Sequence, residues 1–248
     1  TLDRSSAASD VYKRQAVKIL YRNQRINSNE RCYKSIRFEA KMNNPLISVV
    51  TVSYNAVTTI EQTILSVINQ TYSNIEYIII DGGSTDGTVD IIRKYADRIA
   101  YWVSEPDKGI YDAMNKGTKK ANGEYIAFLN SDDWYELDAV SIIAQFADGK
   151  NDLISGIIKL YKNDLFLYAH GSSMDNIYNE MIAHPSTFMK RDLFWELGGY
   201  DLSYKYVADY DLMLRLKKHG GHFVFVDKVI ANFRLEGASS DVNSLLEN

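Results

Sequence analysis

The chain has 248 residues, of which 46% are hydrophobic, 24% charged and 12% aromatic. That length and balance suit one large or two small globular domains and exclude a disordered chain, a collagen-like repeat and a disulfide scaffold. The formal net charge of −4 divides unevenly: residues 1–41 carry 10 Lys and Arg against 4 Asp and Glu, net +6, and residues 42–248 carry 18 against 28, net −10.

Residues 1–41 read as a leader unlike the rest of the chain. Apolar residues between Val11 and Ile26 are scattered among Lys13, Arg14, Lys18, Arg22 and Arg25. A basic membrane-surface helix fits that pattern; a signal peptide does not, because no apolar core follows the charges. A sharper reading is that Asp10-Val11-Tyr12-Lys13-Arg14-Gln15 translates a sequencing-library transposon end. On that reading residues 1–15 are non-native, and Met42 is the natural start. The single cysteine, Cys32, also lies in the leader. The body therefore offers no disulfide, no thiolate metal site and no cysteine nucleophile. Its acidity argues against binding along a nucleic-acid backbone. No apolar run reaches the about 20 residues that span a bilayer, and the body reads as a cytoplasmic protein.

From Pro45 the pattern alternates between strand and helix. Leu46–Ser53 is a β-rich run, and Thr58 or Thr59 can cap a helix carrying Ile60, Ile64, Val67 and Ile68 at helical spacing. Ile75–Ile80 is a near-continuous apolar strand, as a sheet covered on both faces requires. Asp86 caps the next helix, Ile99–Val103 is a short strand, and Ile110–Ala121 is a helix stopped by Gly123. Glu124–Leu129 is a strand and Leu137–Phe146 a helix. This alternation predicts βαβ units, a mainly parallel sheet and right-handed crossovers. The second half then changes character. Asp152–Tyr161 and Leu165–Ala169 read as a hairpin, and Ser186–Met189 as a strand. A short helix lies near Leu193, a longer one over about Val207–Lys218, and strands over Phe223–Val226 and Val229–Phe233. No linker separates the halves, so residues 42–248 are expected to form one domain, with 42–133 and 134–248 as its two functional parts.

Three polar loops follow strands, where open parallel sheets bind ligands. They are Ser53-Tyr54-Asn55, Asp81 to Thr88, and Asn130-Ser131-Asp132-Asp133. Asp81, at a strand end, is expected to accept hydrogen bonds from a ribose or base, and Asp86 to cap a helix. Asp132 and Asp133 are adjacent carboxylates after an apolar strand, and a cation would offset their repulsion. Oxygen donors suit Mg²⁺ or Mn²⁺. The alternative for Asp133 is a helix cap.

These residues carry a resemblance. Residues 45–88 (PLISVVTVSYNAVTTIEQTILSVINQTYSNIEYIIIDGGSTDGT), 105–135 (EPDKGIYDAMNKGTKKANGEYIAFLNSDDWY) and 184–216 (HPSTFMKRDLFWELGGYDLSYKYVADYDLMLRL) resemble the family 2 glycosyltransferases of the GT-A fold. Among them the chain is similar to enzymes of bacterial capsule, colanic-acid and exopolysaccharide assembly. The resemblance implies an α/β fold with a mainly parallel central sheet flanked by helices and a smaller mixed β half for the acceptor. It implies inverting transfer of a sugar from a nucleotide-diphosphate donor to a saccharide or lipid-linked saccharide, with Mg²⁺ or Mn²⁺. The setting implied is the cytoplasm, at the inner face of the membrane. The family continues past the position of Asn248, so a truncated C-terminus is expected.

Residue by residue, Ser53, Tyr54 and Asp81 match positions that contact the nucleoside, although the acid that often follows Asp81 is Gly82 here. Asp132 matches the metal-binding acid of the Asp-x-Asp motif, whose first acid is Asn130 here. Asn130 and Ser131 are then expected near the nucleotide. Lys108, His184 and Arg234 stand near the donor phosphates. For His184 the alternative is a structural histidine, and for Arg234 a solvated edge-strand arginine. Arg234 and Gly237 to Ser240 resemble a mobile segment near the diphosphate. Asp209 matches the catalytic base, although the acid that often precedes it is Ala208.

Local pattern supports Asp209 independently: on a helix it shares a face with Leu212, Met213 and Leu216. Its alternative is a helix N-cap. Asp211 and Arg215 read as a structural i,i+4 ion pair. Trp102, Trp134 and Trp195 are core residues or an acceptor platform. The rival readings are a catalytically inactive nucleotide-sugar-binding subunit and a nucleotidyltransferase. The second lacks a glycine-rich basic loop after the first strand, and a dehydrogenase would need G-x-G-x-x-G there.

Overall fold

The computed structural model describes residues 44–235. The leader, with Cys32 and Met42, and the Gly237 to Ser240 segment lie outside the described residues. Among the described residues nine strands form one sheet. The first half supplies β1 (Ile47–Ser53), α1 (Ile60–Ile68), β2 (Ile75–Asp81), α2 (Thr88–Lys94), β3 (Tyr101–Ser104), α3 (Ile110–Lys120) and β4 (Tyr125–Phe128). The second supplies β5 (Trp134–Tyr135), α4 (Ala139–Ala144), β6 (Leu153–Lys162), β7 (Leu165–His170), β8 (Thr187–Lys190), α5 (Arg191–Glu196), α6 (Ala208–His219) and β9 (Phe223–Arg234).

Strand order is β3-β2-β1-β4-β8-β6-β9-β5, with β7 paired to β6. The run β3-β2-β1-β4 is parallel. β8 runs antiparallel between β4 and β6, and β9 returns to the parallel direction beside β6. The expected hairpin forms as β6 and β7. The two expected C-terminal strands are a single strand, β9, because register shifts opposite Gly156 and Ile157 absorb the break in its pattern.

β1 is buried along its whole length on both faces. Ile47 and Val49 face one core with Ile60, Ile64, Ile92 and Ile143, so α1, α2 and α4 cover that side. Val50 and Val52 face the other with Met114, Phe194, Leu212 and Leu216, so α3, α5 and α6 cover the opposite side. The near-continuous apolar strands of the sequence follow from this double cover.

Two caps differ from the sequence reading. Thr59 stands at the N-cap of α1, but its hydroxyl donates back to the Ala56 carbonyl at 3.4 Å. Gly123 does not cap α3, which ends at Lys120 with an extended Ala121. Gly123 instead lets the chain pass β1: a Cβ there would lie 2.6 Å from the Ser48 amide nitrogen.

α3 also approaches β1 through a glycine. A Cβ on Gly117 would lie 2.3 Å from Val50 Cγ1 and 3.3 Å from Ile80 Cγ1. Val50 is fully buried and short, so it cannot swing away. Ala gains up to about 1 kcal/mol of helix propensity over Gly, whereas overpacking a core costs about 1–3 kcal/mol. Gly117→Ala is therefore expected to lower the melting temperature by about 2–4 °C per kcal/mol lost. An unchanged or raised Tm in a thermal melt would show that the α3–β1 spacing relaxes.

Candidate functional site

The topology reverses beside β1. Strands β2 and β3 extend the sheet to one side with α1 and α2 on one face, while α3 crosses the other face and delivers β4 to the far edge of β1. Loops beyond the carboxyl ends of β1 and β4 diverge at such a point and leave a crevice. The loops holding Ser53–Asn55, Gly82–Gly87 and Asn130–Asp133 open there.

On the β2 side, Asp81 is 0% exposed and accepts five hydrogen bonds. Its Oδ1 takes the hydroxyls of Ser53 (2.9 Å) and Ser84 (2.5 Å). Its Oδ2 takes the amides of Gly83 (3.1 Å) and Ser84 (2.8 Å) and the Ser104 hydroxyl (2.6 Å). Burial raises its pKa, but the hydrogen bonds from Ser104, Ser84 and Ser53 outweigh it and hold the carboxyl below its usual range. Asp81 thus organises the loop, with both oxygens turned to protein donors.

Next to it Tyr54 is 67% exposed. Asn55 adopts φ 50°, donates its amide to Ser84 Oγ at 2.8 Å and accepts the Thr85 amide at 3.0 Å. Asp86 sits one residue before the N-cap position, which Gly87 holds. It still accepts the Thr88 amide at 3.0 Å, and its other oxygen takes the Val57 amide at 3.0 Å. The loops after β1 and β2 are therefore stitched together.

On the β4 side, Ser131 is buried and its amide donates to the Val52 carbonyl at 3.2 Å. Asp133 does not cap a helix: β5 follows it, and α4 begins only at Ala139. Its side chain is fully buried, and Oδ1 accepts the Arg234 amide at 3.1 Å. Burial, then the neighbouring Asp132 charge, pushes its pKa well up. Asp132 is half-buried at the loop's edge.

Two acceptors of this loop, Asn130 Oδ1 and Asp133 Oδ2, are buried without a hydrogen-bond donor among the described residues. An orphaned acceptor beside a carboxylate is what an absent cation or water would satisfy. Among the described residues no group of three or more His, Cys, Asp or Glu could hold a metal by itself. Mg²⁺-type ions use one or two protein carboxylates together with substrate phosphates, and the donors Asp132 and Asn130 fit that need.

Asp209 lies on the second residue of α6 and is 8% exposed. It is not the N-cap. Leu212, Met213 and Leu216 on the same face are buried, as the spacing predicts. Its Oδ1 accepts the Tyr111 hydroxyl at 2.9 Å and the Tyr210 amide at 3.0 Å. Its Oδ2 accepts no hydrogen bond among the described residues. Asp211 pairs with Arg215 at 2.8 Å, and Arg215 also reaches the Leu197 and Gly199 carbonyls.

Behind Asp209 stands an aromatic cluster. The Tyr111 and Tyr200 rings are 5.1 Å apart, and Phe128 stacks on His184 at 5.6 Å. His184 Nε2 lies 2.8 Å from the Tyr200 hydroxyl. Phe128 ends β4, so this cluster ties Asp209 to the strand that carries Asn130 and Asp132. Sequence reading missed Tyr111 and Tyr200. Both lie inside the recognised segments, but nothing in their spacing marks them out from the other tyrosines.

Burial lowers the His184 pKa from its ordinary 6.5, with Asp209 partly opposing. As the medium acidifies, the unfolded chain therefore takes up this proton first. The stability due to neutral His184 is complete above pH 6.5 and is lost as pH falls through the lower folded value. A melting temperature that falls as pH drops below 6.5, with the slope reduced in His184→Gln, is expected. An equal slope in both proteins would remove His184 as the cause.

The residues expected near the donor phosphates divide. Lys108 is exposed just before α3, and its backbone amide donates to Asp112 at 3.0 Å. Arg234 is not the solvated edge-strand arginine. Its guanidinium reaches the Asp132 carbonyl (3.2 Å), Gln62 (3.1 Å) and Asp164 (3.1 Å), and lies 5.0 Å over the Trp134 ring. It clamps the acidic loop from β9. Trp102 packs against one core and Trp195 against the other, leaving Trp134 beside the site.

The model of the family described as "Glycosyl transferase family 2" matches residues 48–206. A "PGL/p-HBAD biosynthesis glycosyltransferase" of Mycobacterium bovis is 31% identical over 178 residues, 69% of each chain. An uncharacterized glycosyltransferase of Mycobacterium tuberculosis is 34% identical over 179 residues, 69% of this chain and 68% of that one. Among solved structures, TarS 1–349 of S. aureus with UDP-GlcNAc superposes with a TM-score of 0.66 at 19% identity, covering 77% of this chain and 59% of that one. The chain spans only 36% of a longer TarS structure. A mannosyltransferase of Pyrobaculum calidifontis with GDP-Man and Mn²⁺ gives a TM-score of 0.63 at 18% identity, covering 95% of this chain and 67% of that one. Both structures share the fold of this chain. No helix among the described residues is long and apolar enough to cross a membrane.

Proposed function

Because the chain belongs to glycosyltransferase family 2 and has the GT-A fold, we propose that it transfers a sugar from a nucleotide-diphosphate donor to a saccharide or lipid-linked saccharide, with inversion, in bacterial surface glycan or glycolipid synthesis. The observation that carries this reading is Asp209. A carboxylate on an apolar helix face, with one oxygen fixed by Tyr111 and Tyr210, is built to present its other oxygen to one proton. That oxygen accepts the acceptor hydroxyl's proton as the hydroxyl attacks the anomeric carbon. One base and one displacement invert the centre; no second carboxylate is needed to form a glycosyl–enzyme.

The β1 and β2 loops hold the nucleoside: Tyr54 offers an exposed ring, and Ser53 and Asp81 fix the loop around it. Asn130 and Ser131 flank the donor, Lys108 stands on the diphosphate side, and Arg234 supports that side by holding the Asp132 backbone, while His184 acts from the aromatic cluster behind Asp209. Asp132 and Asn130 Oδ1 would hold Mg²⁺ or Mn²⁺, which when bound neutralises charge on the departing nucleoside diphosphate. Holding the donor in line with the attacking hydroxyl supplies the remaining acceleration. The PGL/p-HBAD relative and the UDP- and GDP-sugar complexes of structural neighbours support this class of donor and acceptor.

A thermal-shift panel of nucleotide sugars with Mn²⁺ tests it. A donor at a hundred times its Kd adds about 2.7 kcal/mol, which is expected to raise Tm by about 5 °C or more. Turnover of that donor with a saccharide acceptor is the second expectation. Binding without turnover on any acceptor would favour the inactive binding subunit, and no binding would overturn the proposal.

A further inference from the structure

We propose that Thr63 is a positioning residue for the cation: through the Asp133 carbonyl it fixes the turn that carries Asn130 and Asp132, and so sets how tightly that turn holds a divalent metal. The inference rests on the metal reading above and concerns a helix face that reading leaves unused.

β5 is two residues long and pairs, among the described residues, with β9 alone. Its other edge meets α1, and the middle of a helix has no spare backbone donors or acceptors to complete a ladder. Side chains complete it instead. Thr63, Ser66 and Gln70 follow at offsets of three and four, which puts them on one side of the helix, beside the buried stripe of Ile60, Ile64 and Val67. The Thr63 hydroxyl donates to the Asp133 carbonyl at 2.6 Å. The Tyr135 amide donates to Ser66 Oγ at 3.1 Å. Gln70, just past the helix end, donates Nε2 to the Glu136 carbonyl at 2.7 Å and accepts the Val140 amide on Oε1 at 2.9 Å. Gln62 adds an indirect hold, through the Arg234 guanidinium that reaches the Asp132 carbonyl.

Thr63 matters most of these, because it meets the turn itself. The Asp133 amide closes the turn on the Asn130 carbonyl at 3.1 Å, and the Asp133 carbonyl then faces Thr63. Asp133 is thus held through both its amide and its carbonyl, directly after Asp132 and three residues after Asn130. Thr63 is 0% exposed, so bulk water does not reach its hydroxyl or stand in for it. A polar atom so buried needs its partner, and the carbonyl it serves would otherwise be left unpaired. A turn fixed before the cation arrives leaves little ordering for metal binding to meet. A loose turn adds that ordering cost to the Kd.

The test measures the Kd for Mn²⁺ by electron paramagnetic resonance with UDP or GDP present, a readout that needs no turnover. Thr63→Val keeps the shape of the side chain and loses the donor. It should weaken Mn²⁺ about tenfold, as a buried acceptor left without its donor warrants, and Thr63→Ser should bring the Kd back to within about twofold of wild type. Affinity for the nucleoside diphosphate without Mn²⁺ should not change. Ile64→Val thins the buried stripe of the same helix and should lower Tm while leaving the Mn²⁺ Kd where it was. If Thr63 only stabilised the fold, the two variants would move together. Should Thr63→Val fail to fold, Ser66→Ala frees the Tyr135 amide and is expected to weaken Mn²⁺ about threefold. An unchanged Mn²⁺ Kd in Thr63→Val, or in Ser66→Ala where it stands in, would overturn the assignment, as would an equal weakening in Ile64→Val. A wild type that takes up no Mn²⁺ beyond what the free nucleotide binds would overturn it together with the metal reading, and that result is distinct from a metal Kd that ignores Thr63.

Discussion

Asp209→Asn is expected to lower kcat by about 10²–10⁴-fold, the range for removing a positioned general base. The amide keeps the shape of the side chain and can still accept the Tyr111 hydroxyl through its remaining carbonyl oxygen. What it lacks is a second oxygen able to take a proton. Donor affinity is therefore expected to hold, with KM for the nucleotide sugar near the wild-type value and the loss confined to kcat. That split separates the base from a residue that shapes the donor pocket. The measurement is steady-state transfer with the donor found by thermal shift. Near-normal kcat in Asp209→Asn would remove Asp209 as the base, and a rise in KM alone would reassign it to binding.

Asp132→Ala is expected to lower metal-dependent turnover by about 10²-fold or more, since a cation on a leaving diphosphate supplies several kcal/mol of charge stabilisation. Chelation of the wild-type enzyme should have the same effect and should be reversed by excess Mn²⁺. Asn130→Ala is expected to shift the Mn²⁺ titration to higher concentration with a smaller loss at saturation, because it removes a neutral oxygen. Chelator-insensitive turnover would contradict the placement of a cation here. The two sets of variants also separate from each other: Asp209→Asn should leave the Mn²⁺ midpoint where it was.

The strand–helix alternation and the loops at the strand ends were legible in the sequence because both follow from local periodicity. Asp209 was legible for the same reason, as a charge set among Leu212, Met213 and Leu216. What holds Asp209 was not. Tyr111 reaches it from 98 residues away, and the Arg234 amide meets Asp133 across 101 residues. Pattern along the chain records which face a residue occupies, not which distant loop arrives opposite it. It also left a helix cap as the alternative for Asp133, whereas burial makes that residue part of the wall beneath the site. Asp81 was placed at the right strand end, but its five protein donors come from three separate segments, and no spacing rule anticipates them.

β9 has a consequence for the order in which the molecule comes together. It pairs with β6 in parallel from Phe223 to Arg234, and its last residue secures both aspartates of the acidic loop. Pairings this distant in sequence are slow to form, because the chain between them must first be confined. The β1–β4 half can assemble on the ribosome while residues beyond 150 are still being made. The acidic loop cannot be locked until Arg234 has emerged. Catalytic competence is therefore expected to appear only once β9 has been made, well after the loops beyond β1 and β2 have formed. A nascent chain arrested before β9 would carry a folded β1–β4 half with an unsecured acidic loop.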